Sequence, residues 1–248
     1  MRKTSTFQKS VLMKKSLLAA SIATFAATAQ AEAPASLHEA IAGGSADLSV
    51  RYRYEYVDTT SQIANASTLK TRLTYKTLQF EGVSGLLEFD NTSQVFEDNY
   101  NSTRNGHTDY AVVADPVNTE INQAYLDYAA PADTLVRAGR QRILLDNQRF
   151  VGGVGWRQNE QTYDAIALVN KALPETTLTG VYVTNVNTIT GANNSSGNHA
   201  ILHANNKSAA LANVSAYAYL LDDISDTFGL RLTGKMDMED NAVMYELE

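Results

Sequence analysis

The sequence predicts an all-β protein, an antiparallel transmembrane β-barrel. Three observations lead to this fold class: polar and apolar residues alternate along about eleven segments, the connections between these segments are long and short in turn, and the amino terminus has the pattern of an export signal. Alternation with period two is the pattern of strands whose two faces meet different surroundings. No convincing helical period separates the segments, so we expect an antiparallel arrangement.

The alternation is clearest in the first two segments. Leu48–Tyr56 places leucine, valine and three tyrosines on one face and Arg51, Arg53 and Glu55 on the other, and Thr68–Thr77 repeats the pattern. The other predicted strands are Leu87–Asp90, Glu120–Tyr128, Thr134–Ile143, Tyr163–Asn170, Leu178–Asn187, His199–Asn206, Leu211–Asp222, Thr227–Gly234 and Ala242–Glu248.

Loop length favours a barrel over a soluble β-sandwich. A sandwich would accommodate charged mid-strand residues on its solvated faces, but it has no reason to separate long from short loops by end. Outer-membrane barrels do so, with strands of about ten tilted residues. Only Asp223–Asp226 is short where a long loop is expected. The predicted long connections are Asp58–Ser67, Val95–Thr119, Leu144–Thr162 and Thr188–Asn198. The predicted short ones are Leu78–Ser84, Ala129–Asp133, Lys171–Glu175 and Lys207–Ala210.

The amino terminus predicts export. Lys14 and Lys15 precede the apolar run Leu17–Ala27 and the small-x-small site Ala29–Ala31, as in a cleaved signal peptide over residues 1–31. We therefore expect a short periplasmic lead-in at 32–45 and barrel strands over 46–248. The chain has no cysteine, so disulfides do not stabilise it.

Charge and the last segment give two further expectations. Without residues 1–31 the chain has 15 basic and 27 acidic residues, a net charge of −12, which excludes the basic footprint of nucleic-acid binding.

The final strand ends in mid-pattern at Glu248, whereas such barrels commonly end on an aromatic residue. The sequence is therefore interpreted as the N-terminal fragment of a barrel of about 16–18 strands, since an unpaired edge in lipid is costly.

No catalytic, cofactor or metal site is predicted, and the chain is not expected to be an enzyme. His199 and His203 are four residues apart, but that spacing indicates a zinc site only on a helix. A Ser-His pair for an embedded lipid hydrolase is not localised either. The loop acids Glu97, Asp98, Asp109 and Asp115 match no calcium loop and are interpreted as solvated.

Transport chemistry remains, because charges that line a water-filled barrel set its solute preference. The alternative is that the same charges form salt bridges that rigidify the wall. The predicted pore-lining residues are Arg51, Arg53, Glu55, Lys70, Arg72, Lys76, Glu88, Asp90, Asp127, Arg137 and Arg231.

The segment Leu144–Thr162 is predicted to fold inward and narrow the channel. Its glycines permit a tight backbone path, and no helix follows them, which excludes a phosphate cradle. The predicted constriction residues, including one at the end of the preceding strand, are Arg142, Asp146, Arg149, Trp156, Arg157 and Glu160.

The region 46–248 resembles the alginate-export family of bacterial outer-membrane porins. The likeness rests on Gly139–Gln141, Asp146–Gly152, Trp156 and Tyr163–Ala165, with further similarity at SVRYRYEYV, NQAYLDY, SAYAYLL and GLRLTG. The resemblance implies a large antiparallel barrel and passage of an anionic polysaccharide through an arginine-rich lumen. This chain departs from that pattern in its acidic balance.

Together these observations predict an outer-membrane channel for passive diffusion of small hydrophilic solutes such as sugars or organic acids. The alternatives are an export pore for an anionic polysaccharide such as alginate and a non-transport structural or adhesive barrel. Expected partners are outer-membrane lipid, lipopolysaccharide, the solute and, as in many porins, two further copies in a homotrimer.

Overall fold

A computed structural model of the protein describes residues 33–194, 198–209, 212–238 and 241–248. The predicted signal peptide lies outside the described residues. The first element is helix α1 (Leu37–Ala42), which Ser36 caps by accepting the Glu39 N–H at 3.2 Å. Within the described segments, no helix has the length and apolar character needed to cross a bilayer.

All described strands belong to one antiparallel sheet, and each pairs with the next one along the sequence except where two-residue β8 lies beside β7. The predicted all-β architecture with eleven long strands is confirmed. In the described residues, β1 pairs only with β2, and β12 only with β11. The strands are β1 (Ser45–Asp58), β2 (Ile63–Lys76), β3 (Val83–Asn99), β4 (Asn118–Ala130), β5 (Thr134–Gln141), β6 (Thr162–Asn170), β7 (Thr176–Asn187), β8 (Asn193–Asn194), β9 (His199–Ala209), β10 (Ala212–Leu221), β11 (Ser225–Met238) and β12 (Asn241–Leu247).

The two faces of the sheet have the opposite character to those of a water-soluble protein. One face, here called the covered face, buries polar side chains such as Arg53, Lys70, Glu88 and Asp90. The other, the exposed face, carries large apolar side chains. Such a distribution is favourable when lipid, and not water, surrounds the apolar side. Exposed-face residues include Leu48, Val50, Tyr52, Tyr54, Tyr56, Leu73, Leu87, Phe89, Leu126, Ile166, Leu168, Tyr182, Leu202 and Leu230.

Short turns join the strands at one end of the sheet. Between β2 and β3, Phe80 and Val83 exchange two backbone hydrogen bonds of 2.8 and 2.9 Å around Glu81 and Gly82, which both have positive φ. Positive φ at both central residues is the geometry of a type I′ hairpin, which matches the twist of the flanking strands. This turn reverses the chain between β2 and β3.

Most long connections lie at the other end, but one predicted long loop is wrong. In place of Asp58–Ser67 there is a turn of residues 59–62, because β1 runs to Asp58 and pairs there with Ile63. Ala64 and Ala66 extend the hairpin since both are buried beneath the next loop, against Tyr100 and Val113. β3 also runs to Asn99, beyond the expected loop start at Val95.

Candidate functional site

The connection between β5 and β6, residues 142–161, crosses the covered face and is here called the inner loop. Arg51 of β1 donates to the Gln158 side chain at 2.9 Å, and Ser215 of β10 donates to Asp146 at 2.8 Å. In a flat sheet, β1 and β10 would be about 38 Å apart, at about 4.8 Å per strand. The inner loop contains hydrogen-bonded turns and is not extended. The sheet must therefore curl around it.

An ion-pair network holds the two ends of the inner loop against β2 and β3. Arg142 donates to both oxygens of Glu160 and to Glu88, each at 2.6 Å. Arg72 forms a two-pronged pair with Asp90 at 2.7 and 2.6 Å and also bonds to Glu160. Two-pronged arginine–carboxylate pairs fix geometry as well as charge. The structure thus brings five of the predicted site residues together.

Two amides complete this network, and sequence reasoning missed them. A β-bulge between Glu88 and Phe89 leaves β4 with one extra residue, so Asn122 and Gln123 both reach the covered face. Asn122 donates to Glu88 at 2.7 Å and to Glu160 at 2.9 Å, and Gln123 donates to Glu88 at 3.2 Å. Strict alternation gives no signal for such a bulge.

Near β1, a second cluster surrounds the only tryptophan. The Trp156 ring lies 4.4 Å from the Arg53 guanidinium and 4.0 Å from that of Arg157, and Arg53 also bonds to the Trp156 carbonyl. Arg157 donates to Glu55 at 3.2 Å. Guanidinium groups over an indole ring contribute about 0.5–2 kcal/mol each. This contact positions the ring, although its residue stays 58% exposed.

Asp115 links this cluster to the loop between β3 and β4. Its side chain accepts the Gln158 N–H at 2.8 Å and lies 3.7 Å from Arg53 and 3.6 Å from Arg157. The interpretation of Asp115 as a solvated acid is wrong, because the residue is fully buried. Across the described ranges, no three His, Asp or Glu residues are grouped to hold a metal ion.

The start of the connection between β7 and β9 contacts both the β3–β4 loop and the inner loop. Arg104, in the β3–β4 loop, donates to the carbonyls of Thr190 and Gly191 at 3.0 Å. Asn159 of the inner loop donates to the Thr188 carbonyl at 3.3 Å. The long loops therefore interlock at this end of the sheet.

Asp146 makes several of the polar contacts between the inner loop and the strands β9–β11. One of its oxygens lies 2.8 Å from Nε2 of His203, on β9. The other accepts the Ser215 hydroxyl and lies 3.8 Å from Arg231, which pairs with Glu246 at 2.7 Å. His203, for which the sequence indicates no metal site, thus contacts the inner loop. The spacing of polar residues along a single strand does not predict the contact between His203 and Asp146.

The inner loop is also packed hydrophobically. Its residues Ile143 and Val151 are buried, and partly buried Leu145 packs against the same cluster. Each fully buried aliphatic side chain contributes about 1.5–3 kcal/mol. The inner loop thus has a charged side towards β1–β3 and an apolar side towards β6–β10, and it is docked on both. The strand residues of the apolar cluster are Tyr163, Ala165, Ala167, Val181, Val183, Ile201, Tyr217 and Tyr219.

The remaining predicted residues of β2–β5 pair with other strand residues and not directly with the inner loop. Lys70 lies 3.9 Å from Asp90. Arg137 forms a two-pronged pair with Asp127 at 2.6 and 2.8 Å, and its guanidinium lies 3.8 Å from the Tyr125 ring. Many of the predicted pore-lining charges therefore form salt bridges within the wall, as the alternative interpretation of these residues expects.

Lys76 is exposed beside a recess of about 660 Å³ near the short-turn end of the covered face. The recess is also lined by Arg72, Arg137 and Arg142, with Asp47 and Glu88 as its acids. Cations outnumber carboxylates there, which favours a negatively charged guest.

The charge state of Glu160 makes the loop network sensitive to acid. Burial alone would raise its pKa, but hydrogen bonds from Arg142 and the charges of Arg72 and Arg142 outweigh burial and lower the pKa from about 4.5 to about 2. Because the folded pKa is depressed, the stabilisation is complete above about pH 4.5 and is lost as the pH falls towards about 2.

We therefore expect the inner loop to loosen between about pH 4.5 and about pH 2. Single-channel current noise, recorded from about pH 7 downward, measures this loosening. The Glu160→Gln variant should lack the transition. An identical transition in that variant would assign it to another carboxylate.

The fold of this chain is similar to that of several solved proteins. The structure resembles OccD3 (OpdP) of Pseudomonas aeruginosa with a TM-score of 0.60 and 17% identity, over 83% of this chain and 48% of that one. OccAB1 of Acinetobacter baumannii matches with a TM-score of 0.66 and 11% identity, over 84% of this chain and 52% of that one. P. aeruginosa OpdK, solved with vanillate, matches with a TM-score of 0.64 and 12% identity, over 83% of this chain and 56% of that one. The chain thus spans about half the length of these solved proteins.

No curated protein is detectably similar in sequence. The family model for alginate export matches residues 44–248, most of the chain. The match includes the inner loop, its ion-pair network and every described strand. The chain therefore belongs to the alginate export family.

Proposed function

We propose that the protein is an outer-membrane channel for passive diffusion of small hydrophilic solutes such as sugars or organic acids. The observation that carries this proposal is the inverted polarity of the sheet: charged residues such as Lys70 and Glu88 are buried on the covered face, while the opposite face exposes Leu48, Tyr52 and Leu126. A curled sheet of this kind encloses a polar passage and turns apolar side chains to lipid. The inner loop would narrow that passage.

Two findings support small solutes. The inner loop is anchored on β1, β2, β3, β9 and β10, so it occupies space that a thick polymer would need. OpdK, which shares the fold, was solved with vanillate, a small organic acid. We extend the organic-acid class from that protein to this one as part of the proposal.

A second candidate is export of an anionic polysaccharide. The recess lined by Arg72, Lys76, Arg137 and Arg142 favours this candidate, because its cations exceed its carboxylates. Against it, Arg72, Arg137 and Arg142 already pair with carboxylates of the protein. A polyanion would have to displace those contacts.

Planar-bilayer recording of the purified full-length protein tests the proposal. We expect discrete current steps, with concentration-dependent reduction by vanillate as the probe organic acid. Block by an oligomer of alginate at much lower concentrations would favour the polysaccharide pore. If the protein inserts but gives no steps, it is a structural or adhesive barrel and the proposal fails.

The proposal places the exposed face in the lipid of the outer membrane, with lipopolysaccharide on its outer side. Membrane fractionation of the expressed protein tests this location. A homotrimer stays a prediction, and the mass of the detergent-solubilised protein tests it. Recovery as a soluble periplasmic protein would contradict the location.

A further inference from the structure

The charged side chains of the inner loop are not equivalent. Asp146, Arg157 and Glu160 are at most 12% exposed, and Arg142 is 25% exposed. Each of these four forms hydrogen bonds or ion pairs with the covered face or within the loop network. Arg149 differs, because its side chain is 66% exposed. A charge that is already paired and buried acts weakly on a passing ion, whereas an exposed one acts through water.

Arg149 is also held in place. Its guanidinium lies 5.3 Å from the centre of the Phe150 ring. Phe150 in turn packs on Tyr217 at 5.8 Å and on Tyr219 at 6.0 Å, and these two tyrosines stack at 4.7 Å. A stack of aromatic rings is rigid and restricts the cation above it. The three rings therefore form a support for Arg149.

One carboxylate lies near this cation. Glu248 is 3.8 Å from Arg149, beyond hydrogen-bond distance, and accepts the Tyr217 hydroxyl at 2.9 Å. A contact of this length between a largely exposed arginine and a carboxylate leaves much of the positive charge open to solvent.

We infer that Arg149 is the charge-selecting residue of the inner loop, which draws small anions into the narrowed passage, and that Phe150 positions it. This inference rests on the proposed channel function. The other loop charges hold the loop in position and contribute little to selectivity. The chemical class selected is a small monovalent anion, with chloride as the simplest probe.

The test is the chloride-to-potassium permeability ratio of the full-length protein in planar bilayers under a salt gradient. We expect Arg149→Gln to lower the ratio at least about fivefold, because one unit charge about 4 Å from an ion in water changes the chloride contribution alone by that factor. Arg149→Lys should keep the ratio within about twofold, because the charge remains. Phe150→Leu should give an intermediate ratio, since the apolar contact persists without a ring to orient the guanidinium.

Lys171→Gln is the matched control, an exposed cation in the turn at the other end of the sheet, and should leave the ratio unchanged. Heat-dependent migration in detergent gels verifies that each variant is folded. An unchanged ratio in Arg149→Gln, or an equal fall in Arg149→Lys, overturns the inference while the channel stands. The absence of current steps in the unmodified protein overturns the channel proposal itself.

Discussion

Replacing Glu160 with glutamine is expected to release the inner loop from β2 and β3. Glu160 accepts two hydrogen bonds from Arg142, one from Arg72 and one from Asn122. Removing its charge leaves two largely buried guanidinium groups short of a partner, and breaking a buried pair in this way costs about 3–5 kcal/mol. We place the expected loss of docking free energy at the lower end, about 3 kcal/mol, because Arg142 is partly exposed.

Limited trypsin digestion measures this release, because the freed loop would present Arg142 and Arg157, which are largely buried in the docked loop, to the protease. Single-channel conductance should rise in the same variant as the passage widens. Glu175→Gln is the matched control, an exposed carboxylate in a short turn. Equal protease resistance and conductance in Glu160→Gln and the unmodified protein would show that the hydrophobic contacts alone hold the loop.

Gly139→Ala is expected to prevent normal assembly of the barrel. Gly139 has φ of +126°, which residues with a side chain rarely adopt. A Cβ atom there would lie 2.2 Å from the Ala124 carbonyl oxygen and 2.8 Å from Cα of Tyr125. Both contacts are with backbone of the paired strand β4, so no side-chain rotation relieves them. Separating β5 from β4 would also displace Arg140 and the start of the inner loop.

The yield of heat-modifiable barrel after expression measures this effect, and we expect the yield to fall close to zero, because the backbone contacts of the added Cβ atom are relieved only by separating β5 from β4. Gly155→Ala is the control for this substitution. A Cβ atom at Gly155 meets no atom within 4 Å, and its φ is not positive. If Gly139→Ala and Gly155→Ala give the same yield, the backbone at Gly139 relaxes more easily than its contacts indicate.

Alternation in the sequence predicts the sheet well because one period governs both faces of a strand. The exposures of Tyr52, Leu87 and Leu126, and the burial of Arg53 and Glu88, follow from it directly. Cross-strand neighbours such as Arg72 and Asp90 belong to adjacent strands joined by a short connection. These features depend on residues that are close in sequence or on adjacent strands.

The partners of the inner loop do not follow from the sequence. Arg142 meets Glu88, and Gln158 meets Arg51, across separations of 54 and 107 residues. No local pattern marks such pairs. The bulge that turns Asn122 inward is equally hidden, since it breaks the alternation on which prediction depends. The sequence therefore does not distinguish among the expected constriction charges, although the structure separates Arg149 from the others.

The docking of the inner loop also bears on the order in which the protein assembles. Hairpins between consecutive strands form from nearby residues, whereas the contacts from Arg51 to Gln158 and from Asp146 to Ser215 span 107 and 69 residues. Closing such long intervals costs more chain entropy than forming a hairpin. We therefore expect these contacts to form late, after the sheet has curled. Loss of these contacts would accelerate unfolding more than it would slow folding. The inner loop thus stabilises the sheet after the sheet has assembled.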